Sequence, residues 1–124
     1  MKKLIALMAM AMTLAMMGNA SAHSDKAKHG GIVQAASDLS FELVNKNGQA
    51  IIYVEDHGKK LSTAGATGKL TVLNGAEKTD IPLEPAGENT MVSKGAAKLV
   101  KGSKAMVSLM FADKKSVNVR FAVK

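Results

Sequence analysis

The sequence contains no cysteine and no tryptophan, and only four of its 124 residues are aromatic, three Phe and one Tyr. Without cysteine the chain can form neither a disulfide framework nor a thiolate metal site, and it has no cysteine nucleophile. The scarcity of aromatic side chains argues against a module that binds nucleic acid by stacking on bases, although the net charge is +7. We therefore expect no nucleic-acid partner, and at this length a single domain.

The first 22 residues have the three-part pattern of a secretory signal peptide. Two lysines precede an apolar run over residues 4–17, and the small residues Ala20 and Ala22 mark a cleavage site. The run is shorter than the about 20 apolar residues that a transmembrane helix needs. We predict cleavage after Ala22 and export to the periplasm as a soluble protein that is not embedded in the membrane. Six of the nine methionines belong to this segment, and residues 23–124 keep a net charge of +5.

A β-hairpin is the clearest structural signal in the remaining chain. Apolar and polar residues alternate before and after Asn47-Gly48, the dipeptide most typical of a two-residue hairpin turn. Such a turn pairs Leu43 with Ile52 and Phe41 with Val54. The larger apolar side chains of both strands then share one face, as a correct register requires.

The same alternation continues to the C-terminus and indicates no helix. Further strands are predicted near residues 32–33, 70–72, 81–83, 91–92, 105–111 and 117–123. We predict an all-β fold over residues 32–124, a small antiparallel β-sandwich, immunoglobulin-like or similar, with seven or eight strands. Residues 23–31 are polar and charged and are expected to form a flexible arm before it.

The sequence lacks the residue patterns of common catalytic sites. No serine lies in a Gly-x-Ser-x-Gly turn, and no glycine-rich loop opens a helix. Glu55-Asp56 is the only adjacent pair of carboxylates, and neighbours on a strand point to opposite faces. We therefore expect that the protein is not an enzyme.

Histidine is the residue type that offers metal chemistry. His23, His29 and His57 are the only imidazoles, and imidazole suits copper, zinc and nickel. After cleavage His23 would be the first residue, so that its amine and ring could chelate one ion. We predict a transition-metal site, copper or zinc, formed by His29 and His57 with Asp56 as the best-placed carboxylate. His23 would be an optional further ligand.

Each histidine also has a structural interpretation. His23 can owe its position to the cleavage site alone, His29 can be a solvated residue of the arm, and His57 can simply help to form a turn. If residues 32–34 pair with the strand that starts at Leu39, an extended arm places His29 beside Asn45. That position is roughly 20 Å from His57, so that the histidines meet only if a strand crosses to the other sheet or the flexible arm folds back.

A rival hypothesis is a protein-interaction module of the periplasm that binds no metal. It would dock through an outer sheet face, whose apolar residues are Val44, Ile51, Tyr53, Met106 and Met110. The lysines lie mostly in predicted turns, where they keep a β-protein soluble and block edge-to-edge pairing. Their spread along the chain favours this role over an anionic partner.

Six short motifs of the chain resemble motifs that occur in the same order in a known family of protein domains. They are His29-Gly30-Gly31, Phe41-Glu42-Leu43-Val44, Tyr53-Val54-x-Asp56-His57-Gly58-Lys59, Thr63-Ala64-Gly65-Ala66, Thr71-Val72-Leu73 and Leu83-x-Pro85-Ala86-Gly87-x-Asn89. Together they resemble the N-terminal domain of the periplasmic adaptor (membrane-fusion) subunits of cobalt-zinc-cadmium efflux pumps. Small stand-alone exported proteins look similar.

The resemblance implies a periplasmic β-sandwich linked to heavy-metal resistance or efflux of copper, zinc, cobalt or cadmium. It also implies a metal ion and a component of an efflux pump as partners, but no assigned set of ligands. The chain departs from the pattern at two points: an acid is missing between His57 and Gly58, and Ser40 stands where an aromatic residue or histidine is common.

Overall fold

The computed structural model describes residues 26–124, which form nine antiparallel strands and no helix. The strands are β1 Ile32–Ala36, β2 Leu39–Lys46, β3 Gln49–Asp56, β4 Lys59–Lys60, β5 Thr67–Asn74, β6 Glu77–Ala86, β7 Thr90–Ser93, β8 Lys104–Met110 and β9 Ser116–Ala122. The prediction of a small antiparallel all-β fold is confirmed. The predicted signal peptide and His23 lie outside the described residues. Within residues 26–124 no helix is long and apolar enough to cross a membrane.

All strands belong to one nearly closed sheet with the order β1-β2-β3-β7-β6-β5-β8-β9, and β4 pairs only with β3. The outermost strands, β1 and β9, lie side by side without forming a ladder. The sheet is therefore nearly closed and barrel-like. Strand β7 is the reason: Met91 pairs with Ile52 of β3 on one side and with Pro85 of β6 on the other, which joins the two halves.

The first predicted hairpin has the register that the sequence indicates. Leu43 pairs with Ile52 and Phe41 with Val54, and the turn residues Asn47 and Gly48 have φ angles of 53° and 84°. These positive values at both positions are typical of a type I′ turn, whose twist matches that of paired strands. Asn-Gly tolerates this conformation at little cost, so the turn fixes the register of β2 and β3.

The core lies inside the barrel and is formed by alternate residues of almost every strand. Its fully buried side chains include Phe41, Ile52, Leu70, Met91 and Val107. The irregular segment 94–103 adds buried Ala97 and Leu99, and the backbone N–H of Ala97 donates to the carbonyl of Gly48 at 2.7 Å. This segment therefore covers the end of the barrel where the first hairpin turns.

Candidate functional site

The N-terminal segment, residues 26–31, folds back over the outer side of β2. Gly30 has a φ of 75°, a left-handed conformation that allows the chain to bend there. Gly31 lies against β2 so closely that a Cβ atom would be 2.8 Å from Cγ2 of Val44. A glycine pair is thus required for two separate reasons, a bend at the first position and close contact at the second.

Glu42 of β2 holds this segment in place. Its carboxylate accepts hydrogen bonds from the backbone N–H groups of Lys28 at 3.1 Å, His29 at 2.8 Å and Gly31 at 2.8 Å. Nδ1 of His29 forms a fourth hydrogen bond at 2.9 Å. The Glu42 side chain is only 7% exposed, and these bonds satisfy a charge that would otherwise be costly to bury.

The environment of Glu42 favours its ionised form. Burial raises the pKa of the Glu42 carboxyl, but the hydrogen bonds from the His29 ring and from the three backbone N–H groups outweigh it. The net effect is a pKa below the ordinary value for glutamate. Glu42 is therefore a carboxylate, which can only accept hydrogen bonds.

The ring of His29 is fixed from two directions. It stacks on Tyr53 of β3 with the ring centroids 3.6 Å apart and the planes inclined by 3°. Because the ionised Glu42 can only accept, Nδ1 of His29 donates to it, and Nε2 is the ring nitrogen left to bind an ion when the ring is in its neutral form. The His29 side chain is 38% exposed. Histidines that bind metal ions commonly have this arrangement: one ring nitrogen donates to a carboxylate, and the other is available to the metal.

A second ion pair anchors the segment one residue earlier. Nζ of Lys28 lies 3.0 Å from each carboxylate oxygen of Glu55 on β3. Lys26 borders the same hollow beside Ser40 and Glu55. The described chain therefore runs from Gly31 back along the outside of β2 and β3 toward the end of the barrel where β3 meets β4.

His57 lies at that end, in the turn between β3 and β4. It has a φ of 52° and is followed by Gly58 with a φ of 84°, so the pair forms another two-residue turn. Nδ1 of His57 lies 2.6 Å from Oδ1 of Asp56, and the His57 side chain is 81% exposed. As at His29, a carboxylate occupies Nδ1, which leaves Nε2 at the surface.

The folded-back segment brings His29 closer to His57 than an extended arm would. The expectation that His29 lies beside Asn45 is wrong, because the bend at Gly30 brings its ring onto Tyr53. Tyr53 and His57 are four residues apart, or roughly 13 Å along an extended strand. Among residues 26–124, however, no three His, Asp or Glu side chains are grouped to hold a metal ion. His29 and His57 thus form two separate histidine–carboxylate pairs.

Sequence reasoning did not identify Glu42 and Tyr53 as parts of the site. Their direct pairing across β2 and β3 follows from the predicted hairpin register. The missing information was the path of the arm, which depends on the bend at Gly30. A glutamate flanked by the buried residues Phe41 and Leu43 is the signal that could have indicated a need for nearby donors.

The five residues proposed for a docking face do not lie together. Val44 pairs with Ile51, and Tyr53 follows on β3, but Met106 and Met110 belong to β8. Strands β7, β6 and β5 separate β3 from β8 in the sheet. The prediction that these five residues form one docking face is therefore wrong.

Comparison with known proteins found no matching family model, no matching curated protein and no matching solved structure. The side-chain chemistry of the two histidine–carboxylate pairs is thus the basis for a functional assignment.

Proposed function

We propose that the chain is a periplasmic metal-handling protein that binds a copper or zinc ion loosely and transfers it within a heavy-metal resistance or efflux system. The observation that carries this proposal is the His29 ring, whose Nδ1 is bonded to the buried Glu42, so that Nε2 is the ring nitrogen left to bind an ion. A ring fixed by hydrogen bonding and stacking loses little further freedom when it binds an ion, which favours coordination.

The number of donors supports loose binding. Zinc in structural sites takes four protein ligands, and catalytic zinc takes three with water. His29 and His57 each supply one ring nitrogen, while Glu42 and Asp56 are engaged in orienting those rings. An ion held by one or two imidazoles completes its coordination with water or with a partner's ligands. Such an ion exchanges readily, as transfer requires.

His23 lies outside the described residues and is proposed as a supplementary ligand. In the sequence His23 precedes Lys26 by three residues. Lys26 borders the hollow beside Glu55, one residue before Asp56. If the signal peptide is removed after Ala22, the amine and ring of His23 would add two donors to the chain shortly before Lys26. The resemblance to efflux adaptor domains supports the periplasmic location and the link to metal resistance.

The fluorescence of Tyr53 provides a local measurement of metal binding. Tyr53 is the only tyrosine and the chain has no tryptophan, so its emission reports on the ring stacked against His29. Cu(II) bound at Nε2 of His29 should quench this emission. We expect saturable quenching in the protein that starts at His23, and its loss in His29→Ala when each variant is compared with its own metal-free emission.

A matched substitution separates the two histidines. His57→Ala should keep the quenching of Tyr53 but reduce the heat measured by calorimetry with Cu(II), Zn(II) or Ni(II). Equal quenching in His29→Ala and the unmodified protein would contradict a role for His29. Binding no tighter than that of a peptide containing residues 23–31 alone would favour the rival, a metal-free interaction module.

A further inference from the structure

Three neighbouring strands of the barrel carry cations and no acids. Strands β5, β8 and β9 are adjacent in the sheet, and none contains Asp or Glu. Lys69, Lys104 and Arg120 are exposed on their outer side, because they alternate with buried residues such as Leu70, Ala105 and Phe121. These three cations are far apart in the sequence, but the pairing of β5, β8 and β9 places them on one surface.

Strand β6 adds a fourth cation to this surface. Lys78 pairs with Leu73, which in turn pairs with Lys104, so the two lysines are two strands or roughly 10 Å apart. None of the four cations forms an ion pair within residues 26–124. The adjacent Asp80 accepts a hydrogen bond from the Thr71 hydroxyl at 2.8 Å. The surface therefore has an excess of positive charge.

Exposed apolar side chains lie among these cations. Leu73 and Met110 are each 43% exposed, and they are two of the three large apolar residues that are exposed in the described chain. Met106 lies on the same outer side of β8 and pairs with Thr71. No outward-facing residue of β5, β8 or β9 is aromatic.

We propose that this cationic face, formed by Lys69, Lys78, Lys104 and Arg120 with Leu73 and Met110, binds the anionic phospholipid surface of a membrane. Lysine and arginine near such a surface are attracted by its negative potential, and their apolar stems pack beside inserted side chains. A protein interface of similar charge would be expected to centre on aromatic anchors in a pocket, which this face lacks.

The proposed orientation is compatible with metal handling but independent of it. The carboxylates of Glu42 and Glu55 lie on β2 and β3, where they are bonded to the arm. At least three strands separate β3 from β8 in either direction around the barrel. Contact of β5 and β8 with lipid would leave Tyr53, on β3, on another part of the barrel.

Vesicle co-sedimentation tests this proposal. Residues 23–124 contain every described strand, and they omit the apolar leader, which would itself bind lipid. We expect this protein to sediment with vesicles of equal parts phosphatidylcholine and phosphatidylglycerol but not with phosphatidylcholine alone. The triple variant Lys69→Glu/Lys104→Glu/Arg120→Glu should bind at least about tenfold more weakly, since each cation contributes to attraction at the surface.

A control with the same change in net charge localises the effect. Lys59→Glu/Lys60→Glu/Lys114→Glu alters exposed lysines outside the cationic face and should reduce binding less than about threefold. Circular dichroism verifies the β-fold of each variant, and Lys104→Gln/Arg120→Gln replaces the triple variant if it does not fold. Absence of binding to anionic vesicles, or equal losses in both triple variants, would overturn the proposal. Binding to polyglutamate without binding to vesicles would also overturn it and assign the face to an acidic protein.

Discussion

At the residue scale, Glu42 determines whether His29 is available as a ligand. Its nearly buried carboxylate receives four hydrogen bonds from the arm, one of them from the His29 ring. Because an unsatisfied buried charge is expensive, the arm and the carboxylate stabilise each other. The function proposed for His29 therefore depends on a residue that does not itself contact the metal.

Glu42→Gln should lower the free energy of unfolding by about 1–3 kcal/mol at pH 7, because a neutral amide accepts the arm's hydrogen bonds poorly. The folded-state pKa of Glu42 lies below its unfolded value, so the folded protein binds fewer protons. The stabilisation is then complete above the ordinary glutamate pKa of about 4.3 and is lost as the pH falls through the lower folded-state pKa. Urea denaturation from pH 7 to pH 3 measures this dependence.

The exposed Glu77, the first residue of β6, provides the control for this measurement. Glu77→Gln should leave both the stability and its acid dependence within about 0.5 kcal/mol of the unmodified protein. A difference between Glu42→Gln and the unmodified protein that does not shrink on acidification would contradict the assigned ionisation of Glu42.

At the scale of elements, the arm is the segment on which the site depends. Its residues form no strand, yet hydrogen bonds to Glu42, the ion pair between Lys28 and Glu55 and the stacked His29 ring hold it against β2 and β3. Such a segment opens at a lower free energy than the strands it covers. Changes that displace the arm should therefore alter metal binding before they alter the fold.

Gly31→Ala should displace the arm, since the added Cβ would collide with the backbone carbonyl of Leu43 and lie 2.8 Å from Cγ2 of Val44. We expect the emission of Tyr53 to shift toward that of His29→Ala and quenching by Cu(II) to weaken several-fold. Fluorescence titration measures both effects. Gly75→Ala, at a turn with a φ of 66°, is the control. It should lower stability by about 1–2 kcal/mol through backbone strain without changing the emission.

The strands were predictable from sequence to a greater extent than the site. Two-residue alternation and Asn47-Gly48 suffice for the β2–β3 register, because turn type and burial both specify it. The chain has another Asn-Gly dipeptide at Asn74-Gly75, but there Asn74 pairs with Glu77, so that Gly75 and Ala76 form the turn. Closure of the sheet depends on β7, a short segment whose partners are distant in sequence. The contact of His29 with Tyr53 likewise depends on a bend that alternation does not reveal.

At the scale of the whole molecule, the barrel has one seam. Strands β1 and β9 each pair with a single neighbour and lie side by side without a ladder, whereas β5 pairs with both β6 and β8. The seam is closed in part by side chains, among them the partly buried Ile32 and Val123. Opening there would break no backbone ladder, so it should be the least costly opening of the sheet.

Amide hydrogen exchange followed by NMR should show that the strands at the seam open more readily than the strands in the middle of the sheet. We expect amides of β1 and β9 to exchange on average at least about tenfold faster than those of β5, whose ladders lie on both sides. Strand β8, which also has two neighbours, serves as the internal comparison. Equal protection of β1, β9 and β5 would indicate that the seam is closed by hydrogen bonds and would contradict the open sheet order.

The most direct test of metal handling observes the ring nitrogens themselves. Long-range ¹H–¹⁵N correlation spectra of the protein starting at His23, recorded during a Zn(II) titration near neutral pH, distinguish Nδ1 from Nε2 in each imidazole. Without metal, His29 should carry its proton on Nδ1, because Glu42 accepts from that atom. Zinc should then shift Nε2 of His29 and of His57 while Nδ1 of His29 stays protonated. Unchanged Nε2 resonances at both residues, or coordination at Nδ1 with release of Glu42, would contradict the proposed metal site.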